Sequence, residues 1–576
     1  MRTKSLSLTS LLVFLFTYSL AQISYSRFDF SATENYQPVF FTTYYYDDFS
    51  YRFIDNHSIL QPNFGKKIGL PFFKSLSFSD SLLLDSLKAK SNVYLVLGSQ
   101  KNQCLQLVNL QRIGHSTLVY FNYSSVASLG FLKNNNSKNR SFNLSLIHKS
   151  KSYGLEANFI IASNNDGCSG GVSDSVLNTN YSKRDLQQLE VNLNTDYLKK
   201  KFFKIDLDHT IKLYESENKM RNTSMIVGNS FSKFGYNYKG EGISQFYPAT
   251  YYDSTATNDS LGYDWFKNYL GVCFIIDNVT LATSIERSDF NFNILDSSYL
   301  FGDFALNSDL AYNIKNVELS VRYCKNLGNN FRKNNSSICG TFGIDINSSF
   351  LKKLILSFSA ENNNVQFTYQ KLFSNHYVWN NDNFSNVKSK NGKLSVLFSN
   401  NILMSASLLG FRDRVFLNEK VVPTVSYKNE SLISIGLCYN DTISRFHIIQ
   451  NTNYNKSNSE YYPVIPIQSF VRVGYLFDLF KNNLKMEAGF SCVYNDSWLA
   501  PNYLPALDDF YIQSQRKYNG IAVLNFFADF KIKAATLFLK IERVNIGWMN
   551  EQSFLRNGYV IPPRTIRFGF NWPLVN

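Results

Sequence analysis

Charge is scarce in this chain. Only 18 % of its 576 residues are Asp, Glu, Lys or Arg, against about 25 % in an ordinary soluble domain. Proline is sparse too, at 12 residues, and no block of like charge interrupts the chain. The seven cysteines (Cys104, Cys168, Cys273, Cys324, Cys339, Cys438, Cys492) are odd in number and widely spaced. None forms a C-x-x-C pair, so they read as small apolar fillers and not as a disulfide framework. Beyond the N-terminus, no run approaches the roughly 18 uninterrupted apolar residues of a spanning helix. The longest candidate, Ile521 to Ile541, is broken by Asn525, Asp529, Lys531, Lys533 and Lys540. A helical membrane protein, a coiled coil, a collagen-like rod and a disordered chain are all disfavoured.

Catalytic constellations are missing as well. The six histidines (His57, His115, His148, His209, His376, His447) form no zinc-spaced cluster and no H-E-x-x-H. Asp208 and His209 are adjacent, and adjacent strand residues point to opposite faces. No G-x-S-x-G elbow is present, and Gly65-Lys66-Lys67-Ile68-Gly69 lacks the spacing of a phosphate-binding loop. No enzyme activity, metal, cofactor or nucleic-acid partner is expected.

Aromatic residues, by contrast, are abundant: 50 Phe, 37 Tyr and 5 Trp, or 16 %. At the start of the chain, Arg2 and Lys4 precede an uncharged apolar run from Leu6 to Leu20, followed by Ser19-Leu20-Ala21. This is the pattern of a secretory signal peptide cleaved between Ala21 and Gln22. Its removal would take the formal net charge from +14 to +12. An exported chain without a spanning helix is secreted, periplasmic, or built into a membrane as a closed β-barrel.

The period of the remaining sequence is two. From Lys204 to Tyr214, Ile205, Leu207, His209, Ile211 and Leu213 share one parity, and Lys204, Asp206, Asp208, Thr210 and Lys212 share the other. The same sorting recurs at 317–323, 341–347, 484–491 and 524–533. It is cleanest at the end, where Ile566, Phe568, Phe570 and Trp572 alternate with Arg567, Gly569 and Asn571. A strand separates such sets onto two faces, whereas a helix would mix them. Breaks at Lys133 to Asn139, Asn329 to Ser337 and Asn391-Gly392 carry turn chemistry. The joint Asp277-Asn278 is short, while Asn164 to Asn180 and Gly240 to Gly262 read as long polar loops. Runs of nine or more residues, aromatic enrichment, and short turns alternating with long loops point to an all-β, antiparallel outer-membrane barrel. Residues 92–576 support roughly 16–22 strands. Residues 22–91, with little alternation, form a periplasmic or lumen-inserted extension, or supply one or two further strands.

With the apolar parity facing lipid, Lys204, Asp206, Asp208, Lys212, Glu318, Arg322, Asp345, Lys485, Glu487, Lys531, Lys533 and Arg567 face the lumen. A Lys or Arg on the lipid face near mid-membrane would cost about 2–4 kcal/mol. Such side chains set an ion-selecting field or pair into ladders that stiffen the wall. His209, on the lipid parity, reads as an interfacial residue. The positive excess suggests weak anion preference, although loop lysines could equally bind lipopolysaccharide phosphates.

Three segments carry a family resemblance. Leu97-Gly98-Ser99-Gln100-Lys101-Asn102-Gln103 is similar to a Gly-Ser-basic hairpin, and Tyr123-Ser124-Ser125-Val126-Ala127-Ser128-Leu129-Gly130 to a Tyr-x-x-Ile-x-Ser-x-Gly segment. Ile561 to Trp572 is similar to a Pro-x-Arg-x-x-Arg-Phe-Gly-x-x-Trp closing strand. In these places the chain resembles the "putative porins" of Bacteroidota outer membranes. Ser124-Ser125 stand where that family usually has basic residues, and its Arg-rich hairpin is reduced to Lys101. TonB-dependent receptors of the same phylum end in a similar strand, but the segment 22–91 is shorter than their plug. The resemblance implies an outer-membrane barrel. The expected function is a passive channel for small hydrophilic solutes or ions. The alternatives are a non-conducting scaffold or adhesin, and a plugged transporter for hydrophobic solutes. Expected partners are membrane lipid, lipopolysaccharide, small solutes, and the barrel assembly machinery through the C-terminal strand; a homo-oligomer is compatible with the pattern.

Overall fold

The computed structural model describes residues 90–575 except 178–185, 217–220, 242–244, 329–331, 347, 366, 382–383, 400, 482, 547–553 and 557. The signal segment with Ala21 and Gln22, and the extension up to residue 89, lie outside the described residues.

Twenty-two strands each pair antiparallel with their chain neighbours, and Thr565–Val575 pairs back onto Lys90–Gly98. The sheet is thereby a closed barrel with no free edge, at the upper end of the expected strand number. In chain order the wall runs Lys90–Gly98, Asn102–Ile113, Thr117–Ser128, Ser137–Lys149, Tyr153–Gly167, Tyr197–Glu215, Arg221–Glu241, Ala256–Ile276, Val279–Ile294, Ser297–Ile314 and Val317–Asn326. It continues through Ser336–Asp345, Leu351–Asn363, Val387–Phe398, Ile402–Arg412, Glu430–Ile443, Phe446–Ser457, Ile467–Leu479, Leu484–Asn495, Ile521–Ile532, Ala535–Glu542 and Thr565–Val575. The first strand begins at Lys90, so the last two residues of the segment 22–91 belong to the wall.

Alternation fixes the faces. In Ala535–Glu542, Thr536, Phe538, Lys540 and Glu542 are buried, while Leu537 and Leu539 are exposed. The exposed parity elsewhere carries Leu207, Phe266, Leu270, Phe526, Ile566, Phe568 and Trp572, the apolar surface that hydrocarbon requires. An edge-to-face row of rings, Phe121, Phe142, Phe159, Phe203 and Phe231, crosses five neighbouring strands with centroids 5.4 to 6.1 Å apart. His209 lies within this outer parity and shares a 2.7 Å hydrogen bond with the Tyr153 hydroxyl.

The two ends of the barrel differ. Asp277–Asn278, Lys315–Asn316, Ser444–Arg445 and Lys533–Ala534 are tight turns at the end where the first strand begins and the last finishes. The opposite end carries the connections 168–196, 242–255, 364–386, 413–429, 496–520 and 543–564.

Several local expectations are corrected. Asn391-Gly392 is no turn: it lies inside Val387–Phe398, paired with Ser359 and Phe358 on one side and Leu409 and Leu408 on the other. A turn-prone dipeptide is held extended because both its neighbours offer complete ladders. Lys533 is not a wall residue, because the chain turns there with a left-handed φ of 53° and the strand ends at Ile532. Ser336–Asp345 stops one residue before Ile346. Asn164 to Gly167, Gly240 to Glu241 and Ala256 to Gly262 are strand, not loop. Their polar composition belongs to wall that the ladder carries beyond the apolar band, into the long-loop end.

Candidate functional site

The inner wall is charged, and its charges are largely matched. Lys204 pairs with Asp206 at 2.7 Å, and Asp206 accepts a hydrogen bond from Ser230 at 2.6 Å. Asp208 accepts from the Tyr269 hydroxyl at 2.5 Å. Lys212 pairs with Glu215 at 3.0 Å. Lys353 bridges Glu318 and Asp345 at 3.4 and 3.1 Å, and Arg322 pairs with its cross-strand neighbour Asp309. Lys485 stands directly opposite Lys531 on one side and Asp478 on the other.

Two buried networks anchor this wall. Arg472 donates to Glu487 at 3.1 Å and to Asp529 at 3.0 Å, and lies 3.6 Å over the Phe527 ring. His447 reaches Glu487 at 3.2 Å. Gly474 leaves the space that Glu487 fills, since a Cβ there would sit 2.1 Å from Oε1. In the second network Glu542 takes Arg567 at 3.0 Å, Arg543 at 3.5 Å and Lys540 at 3.9 Å, and accepts from Thr565 at 3.0 Å. Of these residues only Glu487 and Arg567 were singled out from the sequence. Arg472, between Val471 and Val473, and Glu542, on the parity of Thr536 and Lys540, were legible by the same rule.

The long-loop end is folded inward. Arg414–Leu417 and Pro423–Ser426 from one connection join Asn502–Leu504 and Asp509–Tyr511 from another in a four-stranded sheet. The connection 496–520 leaves between Leu484–Asn495 and Ile521–Ile532, yet it reaches the strands Tyr197–Glu215 and Arg221–Glu241, nearly opposite in the ring. There Asp508 pairs with Lys200, their side chains 5 % and 1 % exposed. The Tyr236 hydroxyl donates to the Ala506 carbonyl at 2.6 Å. Around these bonds Leu198, Tyr238, Tyr247, Leu372, Tyr377, Leu417 and Leu504 form one buried apolar cluster. The connection is a strap across the mouth, and no periodicity in the sequence marks it.

A family model described as "Putative porin" matches residues 89–576, the whole described wall. The chain belongs to the putative porin family. No curated protein matches it. Among solved structures this porin-family barrel is similar to siderophore receptors. The ferric enterobactin receptor PfeA of Pseudomonas aeruginosa is 9 % identical with a TM-score of 0.58, covering 85 % of this chain and 82 % of that one. The ferric-catecholate import receptor Fiu of E. coli K12 is 11 % identical with a TM-score of 0.54 over 85 % and 82 %. BauA, the ferric preacinetobactin receptor of Acinetobacter baumannii, is 12 % identical with a TM-score of 0.53 over 85 % and 80 %. At these identities the likeness is one of fold.

In the strapped mouth of this porin-family barrel, His376 is the group through which acid is expected to loosen the connection 364–386. His376, in the connection 364–386, stacks on Tyr247 with centroids 4.0 Å apart. Its Nδ1 lies 3.0 Å from the Ala249 carbonyl, and its Nε2 lies 2.8 Å from the Thr257 hydroxyl. Burial holds its pKa below the ordinary 6.5, with the bond to Ala249 acting in the opposite direction. The open connection therefore binds the proton more tightly, so this packing is fully stable above about pH 6.5 and loses stability as pH falls. Asp196, raised above 3.8 by burial against a bond from Tyr238, acts with the opposite sign. Protease nicking of 364–386 is expected to increase below about pH 6, and His376→Gln to abolish that increase. Equal nicking of both proteins at all pH values would remove His376 as the cause.

Proposed function

We propose that this barrel is an outer-membrane channel through which small hydrophilic solutes or ions diffuse, with the strap narrowing its mouth. The observation that carries the reading is the polar, ion-paired inner face of a closed barrel whose outer face is apolar. Paired charges make local fields that nearly cancel, so selectivity is expected to be weak. The net positive excess of the chain tilts that field toward anions. The short-turn end is read as periplasmic and the strapped end as external, the arrangement of barrels with short inner turns and long outer loops. Lysines of the outer connections would meet lipopolysaccharide phosphates, and the closing strand would be read by the assembly machinery. The test is single-channel recording of the refolded chain from Gln22 to Asn576 in a planar bilayer under a salt gradient. Steady openings with a small reversal potential on the anion side are expected. A folded, heat-modifiable barrel that never conducts would overturn the channel reading. It would favour the second one, uptake of selected solutes, which the strap across the mouth supports.

A further inference from the structure

At the root of the strap the inner wall forms a pocket lined by aromatic rings. Phe234, Tyr263 and Phe292 contribute rings from three neighbouring strands, and Tyr369 and Trp379 close over them from the connection 364–386. Its empty space is about 850 Å³, counted with the solvent at its open side. The closing rings are held in place, since Trp379 Nε1 donates to the Thr368 carbonyl at 2.8 Å and the Tyr369 hydroxyl to Asp509 at 2.9 Å.

Among the described residues, three carboxylates line this apolar space and no Lys, Arg or His does. Asp508 is matched by Lys200 and accepts from the Tyr503 hydroxyl at 2.8 Å. Asp509 accepts from Tyr369 and from the Phe510 backbone N–H. Asp259 is different. It is only 6 % exposed, its Oδ1 accepts the Asn375 N–H at 2.8 Å, and its Oδ2 has no hydrogen-bond partner. A buried carboxylate oxygen without a donor is costly, and a ligand that brings the donor removes that cost. Aromatic faces attract cations through the same ring electrons that repel anions.

From this juxtaposition we infer that the pocket binds a small ring-bearing organic amine, its ammonium group on Asp259 and its ring between Phe234, Phe292 and Trp379. The pocket therefore goes beyond passive diffusion: it is a recognition site built where the strap meets the wall. Amines are favoured by charge, and ring-bearing carboxylates are repelled by Asp259.

Calorimetric titration of the full-length barrel in detergent micelles tests this, with 2-phenylethylamine and 3-phenylpropanoate as matched probes. The amine is expected to bind saturably and the acid not. Asp259→Asn keeps an acceptor for Asn375, so the strap stays seated and heat-modifiable migration is unchanged, while affinity for the amine falls about tenfold or more. Trp379→Leu removes a ring, keeps the carboxylate, and is also expected to weaken the amine. Equal binding of both probes, no saturable heat with the amine, or an amine affinity untouched by Asp259→Asn in a folded barrel would overturn the assignment.

Discussion

Replacing Lys200 by Met is expected to raise the conductance of the reconstituted barrel several-fold, and replacing Asp508 by Asn in the same chain to reverse most of that rise. Lys200 and Asp508 are 308 residues apart in sequence, and their pairing fixes the strap to the far wall. Both side chains are almost wholly buried. Removing one partner of such a pair costs about 3–5 kcal/mol, because the other charge is left desolvated. That shifts an equilibrium by roughly two to more than three orders of magnitude. The bonds that remain include the Tyr236 hydroxyl on Ala506, the Tyr369 hydroxyl on Asp509 and the Ile512 N–H on the Leu417 carbonyl. Each is worth only about 0.5–1.5 kcal/mol net, or up to about 3 where the acceptor is charged. Neutralising both members removes the stranded charge, so the double variant closes again and the effects are far from additive. Identical conductance in the Lys200→Met barrel and its parent would mean that the strap does not set the flow.

What the sequence disclosed and what it hid divide along a physical line. A wall strand repeats its environment every two residues, so Ile566 to Trp572 declares its faces without any partner in view. The same rule reached Glu487 and Arg567, and applied more widely would have reached Arg472 and Glu542. It failed where local chemistry and ladder pairing disagree: Asn391-Gly392 has the residues of a turn, yet it is flanked by two complete ladders. It also misread the ends of the longest strands. Asn164 and Asp166 are polar and 1 % exposed because they face the inside of the barrel near the folded-in connections. The strap and its pocket left no trace. Asp508, Asp259 and Trp379 come from three separate connections or strands, and only closure of the ring brings them together. Non-local pairing of that kind has no period to read.

Replacing Glu542 by Ala is expected to lower unfolding stability by about 3–5 kcal/mol, measured by urea titration of the barrel in lipid or detergent. Glu542 is wholly buried, and so is Arg543, with Arg567 at 5 % and Lys540 at 8 % exposure. One carboxylate therefore holds three cations that have little water around them. Its removal takes away the carboxylate that Arg567, Arg543 and Lys540 share, so repulsion among them is added to lost desolvation compensation. The position magnifies the damage. Arg567 lies on the strand that closes the barrel, opposite Lys540 on one side and Gly98 of the first strand on the other. The packing there is tight, since a Cβ on Gly98 would come within 2.9 Å of Arg567 Cγ. A displaced Arg567 thus loosens the seam that removes the free edges of the sheet, and the unfolding midpoint and refolding yield should fall together. Glu542→Gln keeps acceptors for Thr565 and Arg567 and is expected to lose less. An unchanged midpoint in Glu542→Ala would show that the cations find water from the lumen, and that the network does not hold the seam.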